Sequence, residues 1–204
     1  LGCWTTEIES GLIHNLKGVN IIKINGANGK SFKWIIATSL NLFFKKIESL
    51  IRLPLSLVAF SSDKRSFLLY QSLKSISPNY NLIVAHNLGS LYPAYIYSIK
   101  HTIPFIFDVE DYHPGEAIHK DAINEKRRRE TLMQSILPAA AKVTAASPLI
   151  AYETEKLTGA DVSVINNSFF SSEFIEPTSS SCQKVKFVWF SQNINKGRGL
   201  ELIL

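Results

Sequence analysis

Residues 103–116 read IPFIFDVEDYHPGE, an apolar run that ends in Asp108, Glu110, Asp111 and His113 just ahead of a Pro-Gly turn. A buried strand closing on carboxylates and an imidazole is how open α/β sheets assemble a site at a strand's carboxyl end. Glu110, Asp111 and His113 are candidate general bases, because a partly desolvated carboxylate or imidazole takes a proton from an attacking hydroxyl near neutral pH. Asp108 follows the apolar run directly and is a candidate for holding the loop through backbone N–H groups. A second constellation, Lys196-Gly197-Arg198-Gly199, falls between a predicted strand and a predicted helix. Glycines admit close backbone approach and two cations flank a helix start, which suits a diphosphate. A third, NGANGKS at residues 25–31, has the glycines, lysine and serine of a phosphate-binding loop. The long P-loop spacing fails there because Ile24 stands where its first glycine is needed. A plain Gly/Asn turn after a strand is the competing reading.

Short apolar strands are expected over residues 1–4, 19–24, 82–85, 103–107, 142–146, 162–165 and 185–190, alternating with helices over 5–16, 66–76, 91–99, 125–137 and 148–157. Ser147-Pro148 supplies an N-cap and first-turn proline, and Gly159 a helix stop. Crossovers of this length join parallel strands, so the fold class is α/β, a doubly wound, mostly parallel, Rossmann-like sheet. In such a sheet the carboxyl ends share one rim. That rim collects His86, Asn87, Asp108, Glu110, Asp111, Tyr112, His113, Ser147, Asn166 and Asn167. A first domain is expected over residues 1–177, a Ser-rich connector over 178–183, and the opening strand and helix of a second domain over 184–204.

The chain has 204 residues, a formal charge of +5 and 46% hydrophobic residues, the balance of a globular protein. Basic tracts interleaved with aromatics are missing, which argues against nucleic acid as a partner. Cys3 and Cys182 are too few for a disulfide framework or a zinc site, in keeping with a cytoplasmic protein. The start carries no signal-peptide pattern. His14, His101 and His119 stand apart and are expected at the surface, and Arg127–Arg129 reads as a solvated helix face or a contact for an anion. Residues 34–60 are the greasiest stretch. Ile36, Leu40, Phe43, Phe44 and Ile47 recur at helical spacing opposite Lys45, Lys46 and Glu48, which predicts a core-facing helix. The alternative is a helix lying on the inner, anionic face of a membrane. Lysines, Arg52 and Pro54 interrupt the stretch too often for a membrane span.

In order along the chain, NLIVAHNLGSLYPAY (residues 81–95), IPFIFDVEDYHPGE, KVTAASPLIAYETEKLTGADVSVINNSF (142–169) and KVKFVWFSQNINKGRGLELIL (184–204) resemble the family-4 retaining glycosyltransferases of the GT-B fold. The resemblance implies the N-terminal, acceptor-side half of a GT-B enzyme that moves a sugar from a nucleotide-diphosphate donor, without a metal, to a glycan or lipid-linked acceptor in surface polysaccharide synthesis. It implies acceptor contacts from His86, Asn87, Asp108, Tyr112, Ser147, Asn166 and Asn167. Lys196, Arg198 and Gly199 match the donor's diphosphate region, and no cofactor beyond the donor substrate is implied. Glu110 and Asn87 depart from the family's common histidine and aspartate, and Ser191-Gln192 replace its Gly-Arg. The donor-site glutamates do not occur within these 204 residues, so this stretch alone is expected to be inactive. NGANGKS also looks like the short phosphate loop of the Mur-ligase family, an ATP-binding alternative, and a non-catalytic glycan- or protein-binding module is the third reading.

Overall fold

The structure is a computed structural model that describes residues 2–3, 21–24, 31–48, 50–116, 121–168, 171–173 and 199–202. The chain divides into two units, Leu1–Asn167 and Ser168–Leu204. The expected helix at 5–16, the NGANGKS loop, His14, His119, the connector at 178–183, Cys182, the strand at 185–190, Lys196 and Arg198 lie outside the described residues.

In the first unit, strands β1 (Gly2–Cys3) and β2 (Ile22–Lys23) pair in parallel. Helices α1 (Phe32–Ile47), α2 (Leu55–Ser62) and α3 (Lys64–Leu73) follow. Then β3 (Ile83–His86), α4 (Leu88–His101), β4 (Phe105–Val109), α5 (Ala122–Ile136), β5 (Lys142–Ala145), α6 (Pro148–Thr158) and β6 (Val162–Val164) alternate. The last four strands form one parallel sheet in the order β3-β4-β5-β6, a Rossmann-like α/β arrangement. The second unit shows 3-10 turns at Ser171–Glu173 and Leu200–Leu202 among its described residues.

Neighbouring strands in this order, joined by right-handed crossovers, put α4, α5 and α6 on the same face of the sheet. That face holds the core: Ala85, Phe105, Phe107, Val109, Val143, Ala145 and Val162 are buried against Leu91, Leu132, Met133 and Ile136. Alternation along each strand sends Val84, His86, Ile106, Asp108, Thr144 and Ser163 to the opposite face. There the pairing places His86 beside Asp108, Asp108 beside Thr144, and Thr144 beside Ser163. Outside the α4–α6 layer, α2 and α3 dock through aromatic edges. The Phe60 ring meets Phe67 at 5.4 Å and Tyr92 at 5.8 Å, both nearly perpendicular.

The local signals explain the ends of α6. Ser147 Oγ accepts from the Ile150 N–H at 3.3 Å, Pro148 opens the helix, and Gly159 at φ 70° closes it. Between α2 and α3 the chain turns at Asp63, whose carboxylate accepts from the Arg65 N–H at 2.8 Å.

Two expectations are corrected. Helix α1 turns only part of its apolar surface to the core: Phe44 packs against it and Ala37 is the helix's one buried residue among those described, whereas Phe32, Ile35, Leu42 and Phe43 are exposed. Its polar side turns inward, because Asn41 Nδ2 donates to the carbonyls of Phe60 and Ser61 and Lys45 pairs with Glu125 at 3.4 Å. In the arginine run only Arg127, with 60% of its side chain exposed, lies on a solvated face. Arg128 is only 2% exposed and bonds Glu48, Asp121 and Glu125. Arg129 holds Glu116 and the His113 carbonyl, each at 2.6 Å. Helical periodicity assigned a side to each residue but could not rank buried ion pairing against apolar burial.

Candidate functional site

At the end of β3 the chain reverses into α4 through Asn87, at φ 65° and ψ 145°. A non-glycine residue at positive φ is strained by roughly 1–3 kcal/mol and persists where its surroundings over-determine it. Here the Ser90 hydroxyl donates back to the carbonyls of His86 at 2.6 Å and Asn87 at 2.9 Å. This clamp sets the backbone of His86 at the rim.

Register does the rest. His86 and Asp108 are paired residues on adjacent strands, and Asp108 and Thr144 are the next pair, all three on the same face. His86 Nδ1 lies 3.1 Å from Asp108 Oδ2, and Thr144 Oγ1 donates to Asp108 Oδ1 at 2.5 Å. In the tautomer that carries its proton on Nδ1, the ring's other nitrogen, Nε2, is the acceptor. Glu110, just past the strand, brings Oε1 to 3.8 Å from the same Nδ1. The imidazole keeps half of its side-chain surface in solvent while Asp108 keeps about a quarter.

The same three residues offer one ligand atom each, all within 4.8 Å of one another. An imidazole and two carboxylates at that spacing form a donor set for a divalent cation such as Zn²⁺ or Mn²⁺.

Beside this rim lies a cavity of about 590 Å³, bounded by β3, α3, α4 and the chain at Ile22 and Ile24. Its lining is largely apolar, with Leu69, Ile76, Leu82 and Val84, and includes the polar residues His86, Asn87, Ser90 and Asp63. A cavity of this size, apolar within and carrying a few convergent polar groups, is the usual form of a small-ligand site. Asp63 is the residue that sequence reasoning missed. Burial raises its carboxyl pKa above the ordinary value, with the Arg65 N–H bond acting in the opposite direction. Gly89 lets the first turn of α4 pass close by, since a Cβ there would sit 2.7 Å from Asp63 Oδ2. An N-cap signal in Ser62-Asp63-Lys64 was readable. Its place beside His86 was not, because that depends on packing between segments over twenty residues apart.

The other rim residues divide. Asp111 is exposed, and its carbonyl accepts from the His113 N–H at 2.9 Å. His113 is buried, its Nδ1 2.8 Å from Glu116 Oε1 and its Nε2 without a partner among the described residues. Tyr112 faces the carboxylates of α5 and α6: burial first, then Glu153 and Glu130, push its phenol pKa up. Ser147 uses its hydroxyl oxygen as the cap of α6. Asn166 and Asn167 are exposed beyond β6, and Gly199 adopts φ 83° in the second unit. His101, expected alone at the surface, stacks on Tyr97 with ring centres 4.4 Å apart.

Fold and site together define an α/β protein with a polar site at the carboxyl ends of its parallel strands. No protein-family model matches the chain, and no curated protein matches it either.

Proposed function

We propose that this chain is the acceptor-binding side of a glycosyltransferase of GT-B architecture, related to the family-4 retaining enzymes, with a doubly wound sheet. It would pass a sugar from a nucleoside-diphosphate donor to a hydroxyl of a glycan or lipid-linked acceptor in surface polysaccharide synthesis. The observation that carries this reading is the His86–Asp108–Thr144 row, which sets an imidazole beside two carboxylates on the edge of a largely apolar cavity. Four strand-end motifs in the order of that family support it independently of the geometry.

The acceptor's hydroxyl donates to His86 Nε2, which takes the proton as the hydroxyl oxygen bonds to the sugar's anomeric carbon. The bond from that carbon to the donor's diphosphate breaks, and the nucleoside diphosphate leaves with the electron pair. Asp108 keeps Nδ1 protonated and stabilises the imidazolium that forms, and Thr144 fixes Asp108. Glu110 adds negative charge on the same side of the ring. With retention, the hydroxyl approaches on the face from which the diphosphate departs. His86 is the better-held base than Glu110, Asp111 or His113, because it alone combines an orienting carboxylate with a half-exposed ring and an adjoining cavity. Asn87, Ser90 and Asp63 line the cavity and would hydrogen-bond the acceptor's remaining hydroxyls.

The test is transfer by the protein expressed from its complete reading frame, using labelled nucleoside-diphosphate sugars against glycan and polyprenyl-phosphate acceptors. Transfer that His86→Ala lowers by about 10²–10⁴ in kcat, with a retained anomeric configuration in the product, supports the reading. A folded protein that transfers from no donor, or whose rate ignores His86→Ala, overturns it.

A further inference from the structure

We propose that the outward face of α1, continued by residues 50–52, is a docking surface for an anionic lipid bilayer, on which the helix lies flat. The helix buries polar groups on its inner side and leaves several large apolar ones outside. On the inside, Asn41 bonds two carbonyls of α2, Lys45 pairs with Glu125, and Glu48 is held by Arg128. Those polar contacts lock the rotation of α1 about its axis. Outward, Phe32, Ile36 and Phe43 then point within roughly 40° of one another, and Ile35 and Leu42 widen the strip. Their exposures reach 75% at Phe32 and 62% at Leu42, and Leu50 beyond the helix is 81% exposed. Apolar residues scattered singly over a surface need no explanation, whereas a continuous strip on one helix marks a place that meets something else.

Charge selects the occupant. Lys33, Lys46 and Arg52 are exposed beside the strip. The sole acid in residues 32–54, Glu48, leaves only 8% of its side chain exposed because it turns in toward Arg128. The surface shown outward is therefore apolar and cationic, and the whole chain carries +5. Lysine is depleted from the centres of protein–protein interfaces. It is common on helices lying at the headgroup level of anionic membranes, where aromatic and leucine side chains enter by about 5–10 Å and each cation adds about 1 kcal/mol of attraction. A 16-residue helix is about 24 Å long, enough for a flat anchor. No helix among the described residues is long and apolar enough to cross a membrane, so the contact is one of lying on the surface.

Cosedimentation of the full chain with vesicles tests this without any sugar donor, so its outcome is separate from that of the transferase reading. Phosphatidylcholine vesicles containing about one-third phosphatidylglycerol should retain the protein at low salt, and pure phosphatidylcholine vesicles should retain far less. Raising the salt to about 1 M, where the Debye length falls to about 3 Å, should weaken retention. Leu42→Ser with Phe43→Ser should reduce it at least tenfold, and Lys33→Glu with Arg52→Glu should reduce it on anionic vesicles. All four side chains are exposed, so circular dichroism and the thermal midpoint should stay as in the parent. Failure of anionic vesicles to retain the protein overturns the proposal, as does retention indifferent to either pair of substitutions. Lipid-free dimerisation that Leu42→Ser with Phe43→Ser abolishes would assign the face to a second copy and overturn it as well.

Discussion

His86 and Arg128 each lie within ion-pairing distance of more than one carboxylate, yet half of the His86 side chain meets solvent and only 2% of Arg128 does. The difference lies in what each arrangement leaves unsatisfied. Around Arg128, Glu48, Asp121 and Glu125 absorb the guanidinium's donors and tie α1, α5 and the loop between β4 and α5 together. Burial opposes that charge, and the bonds to Asp121 and Glu125 outweigh it, holding the arginine's pKa above its usual value. Around His86 one ring nitrogen lies 3.1 Å from Asp108, and the half-exposed side chain lines a cavity. A charge cluster whose groups engage one another is architecture, and a half-exposed imidazole beside carboxylates and a cavity is a candidate for chemistry.

The largest effect should come from breaking the closed cluster. Arg128→Ala leaves buried carboxylates without their cation and should cost about 3–5 kcal/mol in urea unfolding. Combining Arg128→Met with Glu125→Leu should recover a large part of that loss. If Arg128→Ala unfolds at the parent's denaturant midpoint, the two clusters do not differ in the way described.

Next in size is the open cluster, where the effect should move from stability to turnover. Asp108→Asn keeps the shape but removes the charge behind His86, so kcat in the complete protein should fall by about 10²-fold or more, with the unfolding midpoint shifted far less than by Arg128→Ala. Thr144→Val should act more gently. It deletes the 2.5 Å bond to Asp108 at nearly constant volume, which should lose about 1 kcal/mol of stability and displace the pH profile of turnover.

The smallest effect concerns acid. The His113 hydrogen bond first, then Arg129, holds the Glu116 pKa below its ordinary value. For Asp121, burial pulls upward, but the bonds to Arg128 and Asn124 bring its pKa below the usual one. Both folded values lie under the unfolded ones, so the stabilisation is complete above about pH 5 and is lost as pH falls through the folded values. Glu116→Gln should make the fall in urea midpoint between about pH 5 and pH 3 shallower, while His86→Gln should leave that slope unchanged.

Much of the scaffold was readable from local patterns. The strands at residues 82–85, 103–107, 142–146 and 162–165 appear within two residues of their expected ends, because short apolar runs bounded by turn residues have few alternatives. Ser147, Pro148 and Gly159 gave α6 almost to the residue, since caps act within one turn. Residues 55–73 fared worse: one helix over 66–76 was expected, and two helices broken at Asp63 are found. The site was half legible. Strand ends locate His86, Asp108 and Glu110 on one rim, but not the contacts that His86 makes with Asp108 and Glu110. Glu110, Asp111 and His113 were favoured for their chemistry, and His113 is occupied with Glu116 in the turn below.

What the sequence alone determined is therefore everything that depends on near neighbours: the alternation of strand and helix, the parallel sheet, and the polar rim where strands end. Tertiary structure decided which groups meet. A hydrogen bond from Thr144 to Asp108 spans 36 residues and an ion pair from Arg128 to Glu48 spans 80. No periodicity encodes such pairs, because they follow from strand register and from the competition between burying charge and burying apolar surface. That competition left several large apolar side chains of α1 outside while Glu48 turned in to Arg128.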